Sequence, residues 1–290
     1  MQRVLLRLFK PGLGLNQDCA MFDPGFHTDD ELALNQQFAQ DQWIILPVEN
    51  RAGLDRIQSR IAQLAARHLG DAEPADAKAY LDAIGGRVTP DRLNDLRLAV
   101  IQGIIAEPWF RRTYHSLAAN VLACLVGNEL VMQRSVGLSV QLPQDDSSLL
   151  PLHCDVWDGD SPYEVVAWLP LVDCYRTKSM CILPPAANAR AYGLMKSFAD
   201  RRVDDLFCHV ESELTWLDVP YGHVLLFSQN LLHGNRINQE PTTRWTMNCR
   251  FKSLFSPYAD KRLGEFFEPI TLRAATRIGL DYRLPDGFDE

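Results

Sequence analysis

Gly222-His-Val-Leu-Leu-Phe227, His233-Gly234-Asn235 and Arg244-Trp-Thr-Met-Asn-Cys-Arg-Phe251 form the run on which the fold turns. Short apolar stretches follow one another between turn signals, which is the texture of strands. The same texture extends upstream to about Val131, through Val136 to Leu142, Val165 to Leu171 and Met180 to Leu183, with a helix expected around Arg190 to Phe198. This spacing predicts a β sandwich or barrel rather than βαβ units. Before Val131 the pattern is helical. Thr28-Asp-Asp-Glu31 is a capping box opening a helix to about Gln40, and Trp43 to Pro47 reads as a short strand. Leu54, Ile57, Ile61, Leu64 and His68 share one helical face that Gly70 ends, and Thr89-Pro90 opens a helix through Leu93, Leu96, Val100 and Ile104. Pro108 breaks that helix, and a further one is expected to reach Cys124, with Gly127 as its stop. The chain is thus expected to be α+β: a helical N-terminal layer over residues 1–128, a β core over 129–258 and a C-terminal extension over 259–290.

With 290 residues, 47% of them apolar, the chain can bury a full core without cross-links, and a formal charge of −8 argues against nucleic acid or an anionic membrane as partner. No run approaches a membrane span, and Arg3, Arg7 and Lys10 interrupt any signal-peptide core, so a cytoplasmic protein is expected. The seven cysteines, Cys19 among them, are odd in number and form no CxxC pair, which predicts reduced, mostly buried thiols.

Chemistry concentrates at His153-Cys-Asp155. Residues i and i+2 of a strand point the same way, so an imidazole and a carboxylate converge on one ion. Chance alone supplies such pairs, and a second one, His27-Thr-Asp29, sits where Thr28 and Asp29 have capping work to do. His153 and Asp155 are lifted above chance by His233, a distal third ligand that completes a two-histidine, one-carboxylate face suited to Fe(II) with open positions. Eleven residues on stands Arg244, whose guanidinium could grip a small dicarboxylate in bidentate fashion.

With these residues stand Ser139-Val-Gln-Leu-Pro143, Ser147-Ser-Leu-Leu-Pro-Leu-His153, Asp155-Val-Trp157, Trp168-Leu-Pro-Leu-Val-Asp-Cys174, Thr177-Lys-Ser-Met180, Leu232-His-Gly-Asn235 and Asn248 to Tyr258. Together they resemble the phytanoyl-CoA-dioxygenase-like branch of the Fe(II)/2-oxoglutarate-dependent oxygenases, and within it a subgroup found among bacterial carbohydrate and aminoglycoside biosynthesis functions. The resemblance covers about Val136 to Ile270. It implies a double-stranded β-helix, a cupin-like jelly roll, in agreement with the strand pattern. It implies iron on His153, Asp155 and His233, and the distal carboxylate of 2-oxoglutarate on Arg244. Gln141, Trp168 and Lys178 fall where the family lines its cosubstrate pocket. The implied reaction consumes 2-oxoglutarate and O2, releases succinate and CO2, and hydroxylates or otherwise oxidises a carbohydrate-derived or small polar metabolite. The presence of Asp155 argues against a halogenase, which needs that position vacant for halide.

Around this centre, Trp157 either stacks on a sugar face or packs in its loop. Asp158, Asp160 and Glu164 form an acidic cluster suited to polyol hydroxyls or an amino sugar, or are a solvated loop. Arg250, six residues past Arg244 and on the same strand face, either anchors an anionic substrate group or makes a salt bridge. Alternation turns Cys154 away from the metal. His223 is expected to be structural, and His68, His115 and His209 to be surface or packing residues. Gly264 to Pro269 could serve a homo-oligomer interface. Two rival readings remain: a non-catalytic sugar-binding jelly roll with a vestigial metal site, and a cupin-like metal isomerase or hydrolase.

Overall fold

The computed structural model describes residues 26–198 and 203–286. Cys19 and the charged opening Met1 to Lys10 lie outside them.

The strands are β1 (Trp43–Pro47), β2 (Leu130–Gln133), β3 (Gly137–Gln141), β4 (Val165–Pro170), β5 (Cys181–Ile182), β6 (Thr215–Trp216), β7 (His223–Ser228), β8 (His233–Gly234), β9 (Arg244–Ser253) and β10 (Phe267–Pro269). A seven-stranded sheet runs β1-β7-β4-β9-β2-β10, with β3 also paired to β9; a second sheet runs β6-β5-β8. Every strand pairing in both is antiparallel.

β9 organises the large sheet because its sequence alternates. Trp245, Met247, Cys249 and Phe251 are fully buried on one face. They pack towards the helical layer: the Trp245 indole donates to the Leu81 carbonyl at 3.0 Å, and the Tyr114 hydroxyl to that of Ala167 at 2.9 Å. Helix Arg51–Leu69 is capped by the Asn50 side chain, which accepts from the Gly53 amide at 2.9 Å, and it ends at Gly70, whose φ of +74° suits glycine. Its Leu54, Ile57 and Ile61 are wholly inaccessible to solvent, each contributing about 2 kcal/mol by burial. Helix Pro90–Ile105 buries Leu93, Leu96, Val100 and Ile104.

Some expectations shift. β1 does not belong to a purely helical cover: it pairs with β7 along its length, from Trp43 opposite Phe227 to Pro47 opposite His223. The helix expected after Pro108 is two, Phe110–Ser116 and Ala119–Val126, broken at Leu117 and Ala118. The one around Arg190 begins earlier, at Pro185, and passes at Met195 into a tighter 3-10 turn. The C-terminal region is no bare extension. Phe267 is buried where β10 pairs with β2, and helix Ala274–Asp281 follows, so Gly264 to Pro269 is used inside the molecule's own sheet. Among the described residues no helix is long and apolar enough to cross a membrane. The six described cysteines are free thiols; Cys154, Cys174, Cys181 and Cys249 are buried, whereas Cys208 is exposed.

Candidate metal centre and cosubstrate site

His153, Asp155 and His233 come together, with one ligand atom of each lying within 4.8 Å of the others. Among the described residues they are the one His/Cys/Asp/Glu group so arranged. The local cause is a backbone pairing. His153 and His233 exchange two amide-to-carbonyl bonds of 3.0 Å as an isolated antiparallel bridge, which sets both imidazoles on one side. Asp155 is not on a regular strand as expected. It opens a 3-10 turn, Asp155–Asp158, closed by Gly159 at φ +86°, and this turn swings its carboxylate back towards the imidazoles. Gly234, beside His233, admits no side chain, since a Cβ there would meet the Leu150 carbonyl oxygen at 2.7 Å.

The imidazoles share one tautomer. His153 Nδ1 donates to the Pro151 carbonyl at 2.8 Å and His233 Nδ1 to that of Leu231 at 2.9 Å, so each Nε2 presents its lone pair inward. His153 Nε2 lies 3.3 Å and His233 Nε2 3.8 Å from Asp155 Oδ1. Cis donors about 2.1 Å from a shared ion stand about 3 Å apart, so this geometry closes on a metal with small adjustment. Burial disfavours the Asp155 carboxylate, but in acid, where the imidazoles are protonated, the His153 bond and the His233 charge, together with the Arg250 charge, outweigh it and hold the group well below the usual carboxylate range. Burial pushes His233 down to about 4, leaving it neutral and able to ligate at neutral pH.

The triad opens on a cavity of about 1140 Å³ lying between the two sheets and the helical layer. Its large-sheet wall is the polar face of β9, where Arg244, Thr246, Asn248 and Arg250 alternate with the buried apolar set, flanked by Trp168 and Phe227. Arg244 is 3% exposed and has no carboxylate partner among the described residues. It donates from Nη1 to the Ser179 carbonyl and from Nη2 to Ser139 Oγ, both at 3.1 Å, while Nε has no partner. Burial lowers it to about 10, so it remains a cation at neutral pH. The Ser179 hydroxyl and Gln141 Oε1 are also buried without partners. Of these, the Arg244 Nε–H and the Ser179 hydroxyl are donors that fit an acidic ligand, whereas Gln141 Oε1 is an acceptor and does not.

The other expected residues divide. Trp168, Trp157 and Asp158 line the cavity, and the Trp157 ring meets Tyr192 edge-on. Gln141 is the cross-strand neighbour of Arg244 but does not reach the cavity wall; its amide donates to the Arg236 carbonyl at 2.6 Å. Lys178 does not line the cavity either. It is 1% exposed and is tied to Asp82 at 2.6 Å and Thr242 at 2.7 Å, a buried ion pair beneath the sheet edge. Asp160 is buried on Lys261 and Arg250, not presented to the cavity, and Glu164 is buried on Ser161 and Gln229. Arg250 reaches the cavity with its guanidinium already bound to Asp155 and Asp160. His223 opens β7 opposite Pro47, away from the cavity, and His27-x-Asp29 is a helix start, with Thr28 and Glu31 in a reciprocal capping box.

Sequence reasoning missed Ser139 and Ser179, which surround Arg244, and the helix face Pro90, Leu93, Asn94 and Arg97, which closes the cavity from the N-terminal side. It also missed Thr246 and Asn248, although the spacing Arg244-x-Thr246-x-Asn248-x-Arg250 displays a polar strand face.

Neither a protein-family model nor a curated protein matches the sequence. Solved structures do. A non-heme monooxygenase, ThoJ, in complex with nickel is 17% identical, with 83% of this chain and 84% of that one covered and a TM-score of 0.52. AviO1 from Streptomyces viridochromogenes is 16% identical over 80% of this chain and 99% of its own, with a TM-score of 0.52. HygX from Streptomyces hygroscopicus, with nickel and 2-oxoglutarate bound, is 16% identical over 82% and 90%, with a TM-score of 0.50. At such identities the likeness is one of fold: the chain shares the mixed helix and antiparallel-sheet fold of these structures, and among its described residues it carries a His-Asp-His group that could hold a metal ion.

Proposed function

We propose that this protein is an Fe(II)- and 2-oxoglutarate-dependent dioxygenase, its two sheets forming a double-stranded β-helix under a helical N-terminal cover. One observation carries the reading: a buried guanidinium without a carboxylate partner, Arg244, shares a cavity with an inward-facing His153, Asp155, His233 triad. A buried unpaired cation is costly, and an anionic ligand relieves that cost. His153, Asp155 and His233 would hold the ferrous ion. Arg244 would bind the distal carboxylate of 2-oxoglutarate, with the Ser139 and Ser179 hydroxyls beside it. Trp168 and Phe227 wall the site against water. Bound iron and 2-oxoglutarate supply the oxidising chemistry, with succinate and CO2 as co-products. The chain would aim one C–H bond of the substrate and exclude water from the pocket.

The substrate is read as a carbohydrate-derived or small polar metabolite. Support comes from Trp157 and Asp158 on the wall near the triad and from Asn94 and Asn248, whose amides suit hydroxyl groups. The cavity exceeds what a five-carbon diacid needs, which leaves room for a sugar-sized molecule beside it.

Anaerobic addition of Fe(II) and then 2-oxoglutarate to the protein should produce a charge-transfer band in the visible range, and admitting O2 should release succinate. A colourless mixture, with no succinate formed, refutes the assignment.

A further inference from the structure

Arg250 does more than occupy the cavity floor. All of its nitrogens are engaged. Nε donates to Gln229 Oε1 at 2.6 Å and Nη1 to Gln133 Oε1 at 3.3 Å, while Nη2 is ion-paired with Asp155 Oδ2 at 3.0 Å and Nε with Asp160 Oδ1 at 3.3 Å. Asp160 is in turn held by Lys261, so two carboxylates and two cations balance and Arg250 is not drawn off Asp155. Gln229 is fixed by Glu164, whose Oε2 accepts its amide at 2.6 Å.

The two oxygens of Asp155 thus have different neighbours. Oδ1 faces both imidazole Nε2 atoms, and Oδ2 faces Arg250. A carboxylate can ligate through one oxygen or chelate through both. We infer that Arg250 is a positioning residue that holds Oδ2 and so restricts Asp155 to a single metal bond. This inference rests on the proposed metal centre. Its consequence is coordination arithmetic. A six-coordinate ion on three protein atoms keeps three positions, two for a chelating 2-oxo acid and one for O2. Chelation by Asp155 would take one of them and leave O2 no place once the 2-oxo acid had bound. The fork of the guanidinium matters, because it reaches Asp155 while remaining on Gln229 and Asp160, and a single ammonium cannot do both.

The test uses the intact protein loaded with Mn(II) in place of Fe(II), without 2-oxoglutarate. Water-proton relaxation then counts exchangeable waters on the ion. The natural protein should show about three, and both Arg250→Met and Arg250→Lys about two. Asp160→Asn disturbs the same cluster but leaves Nη2 on Asp155, so it should keep about three; this separates positioning from general loosening of the floor. Arg250→Lys preserves the charge balance should Arg250→Met fail to fold. A count of two in the natural protein, or of three in a folded Arg250 variant, overturns the inference while leaving the metal centre standing. If Mn(II) does not bind the natural protein, the proposed centre falls and this inference with it.

Discussion

The two ends of the polar face of β9 carry the same side chain in opposite circumstances. At Arg244 the guanidinium is buried with an unpaired Nε and no carboxylate. At Arg250 Nε and Nη1 are hydrogen-bonded, Nη2 is ion-paired and two carboxylates are in reach. A buried cation left incomplete by the protein is complete only with ligand, whereas one fully paired is part of the scaffold. On the proposed reading, the contrast separates a binding residue from a positioning residue where strand, face and residue type do not.

The largest effect should come from breaking the paired end. Arg250→Met strands Asp155 and Asp160 in a buried site and should cost about 3–5 kcal/mol of folding stability, read as a lower urea midpoint. Arg244→Leu should do the reverse. It removes a buried charge that lacks a partner, so stability should hold or rise, while 2-oxoglutarate affinity falls by about 2–4 kcal/mol in a titration of the iron-loaded protein. Equal stability losses in the two variants would erase the distinction drawn here.

The third prediction concerns pH. Burial raises Glu164, behind Gln229, from 4.5 to about 7. The folded state then holds a proton that the unfolded chain has released, so this group's contribution is full below pH 4.5 and is lost as pH rises towards about 7. The expected slope is at most about 1.4 kcal/mol per pH unit, and Glu164→Gln should flatten it in denaturant titrations across that window. The smallest effect is at the incomplete end. Ser179→Ala removes a buried hydroxyl with no partner in the protein, so it should leave the melting temperature alone and weaken 2-oxoglutarate by about 1 kcal/mol. A fall in melting temperature with unchanged affinity would mean that the hydroxyl serves the fold.

Much of the fold was legible because its signals are local. The capping box at Thr28, the stop at Gly70, the proline start at Thr89-Pro90 and the apolar runs that became β3, β4, β5, β7 and β9 each depend on neighbours in the chain. β1 was legible as a strand, but its place in the sheet was not, because β7 lies far along the chain and pairing is a long-range choice. At the site, His153, Asp155, His233 and Arg244 stood out by residue type and spacing. The contacts that hold Lys178, Gln141 and Asp160 off the cavity wall were not legible, since the partner of Lys178, Asp82, lies on a distant helix, that of Gln141 is the Arg236 carbonyl, and Lys261, which pairs with Asp160, comes from the C-terminal region.

Sequence alone determined which side chains could meet a metal ion and which strand would carry the guanidinium, because alternation and residue chemistry are written along the backbone. Only the tertiary structure decided which of two arginines is left without a carboxylate partner among the described residues. That choice depends on whether a carboxylate from elsewhere in the chain arrives within hydrogen-bonding distance, and electrostatic satisfaction is a property of the packed site rather than of any segment.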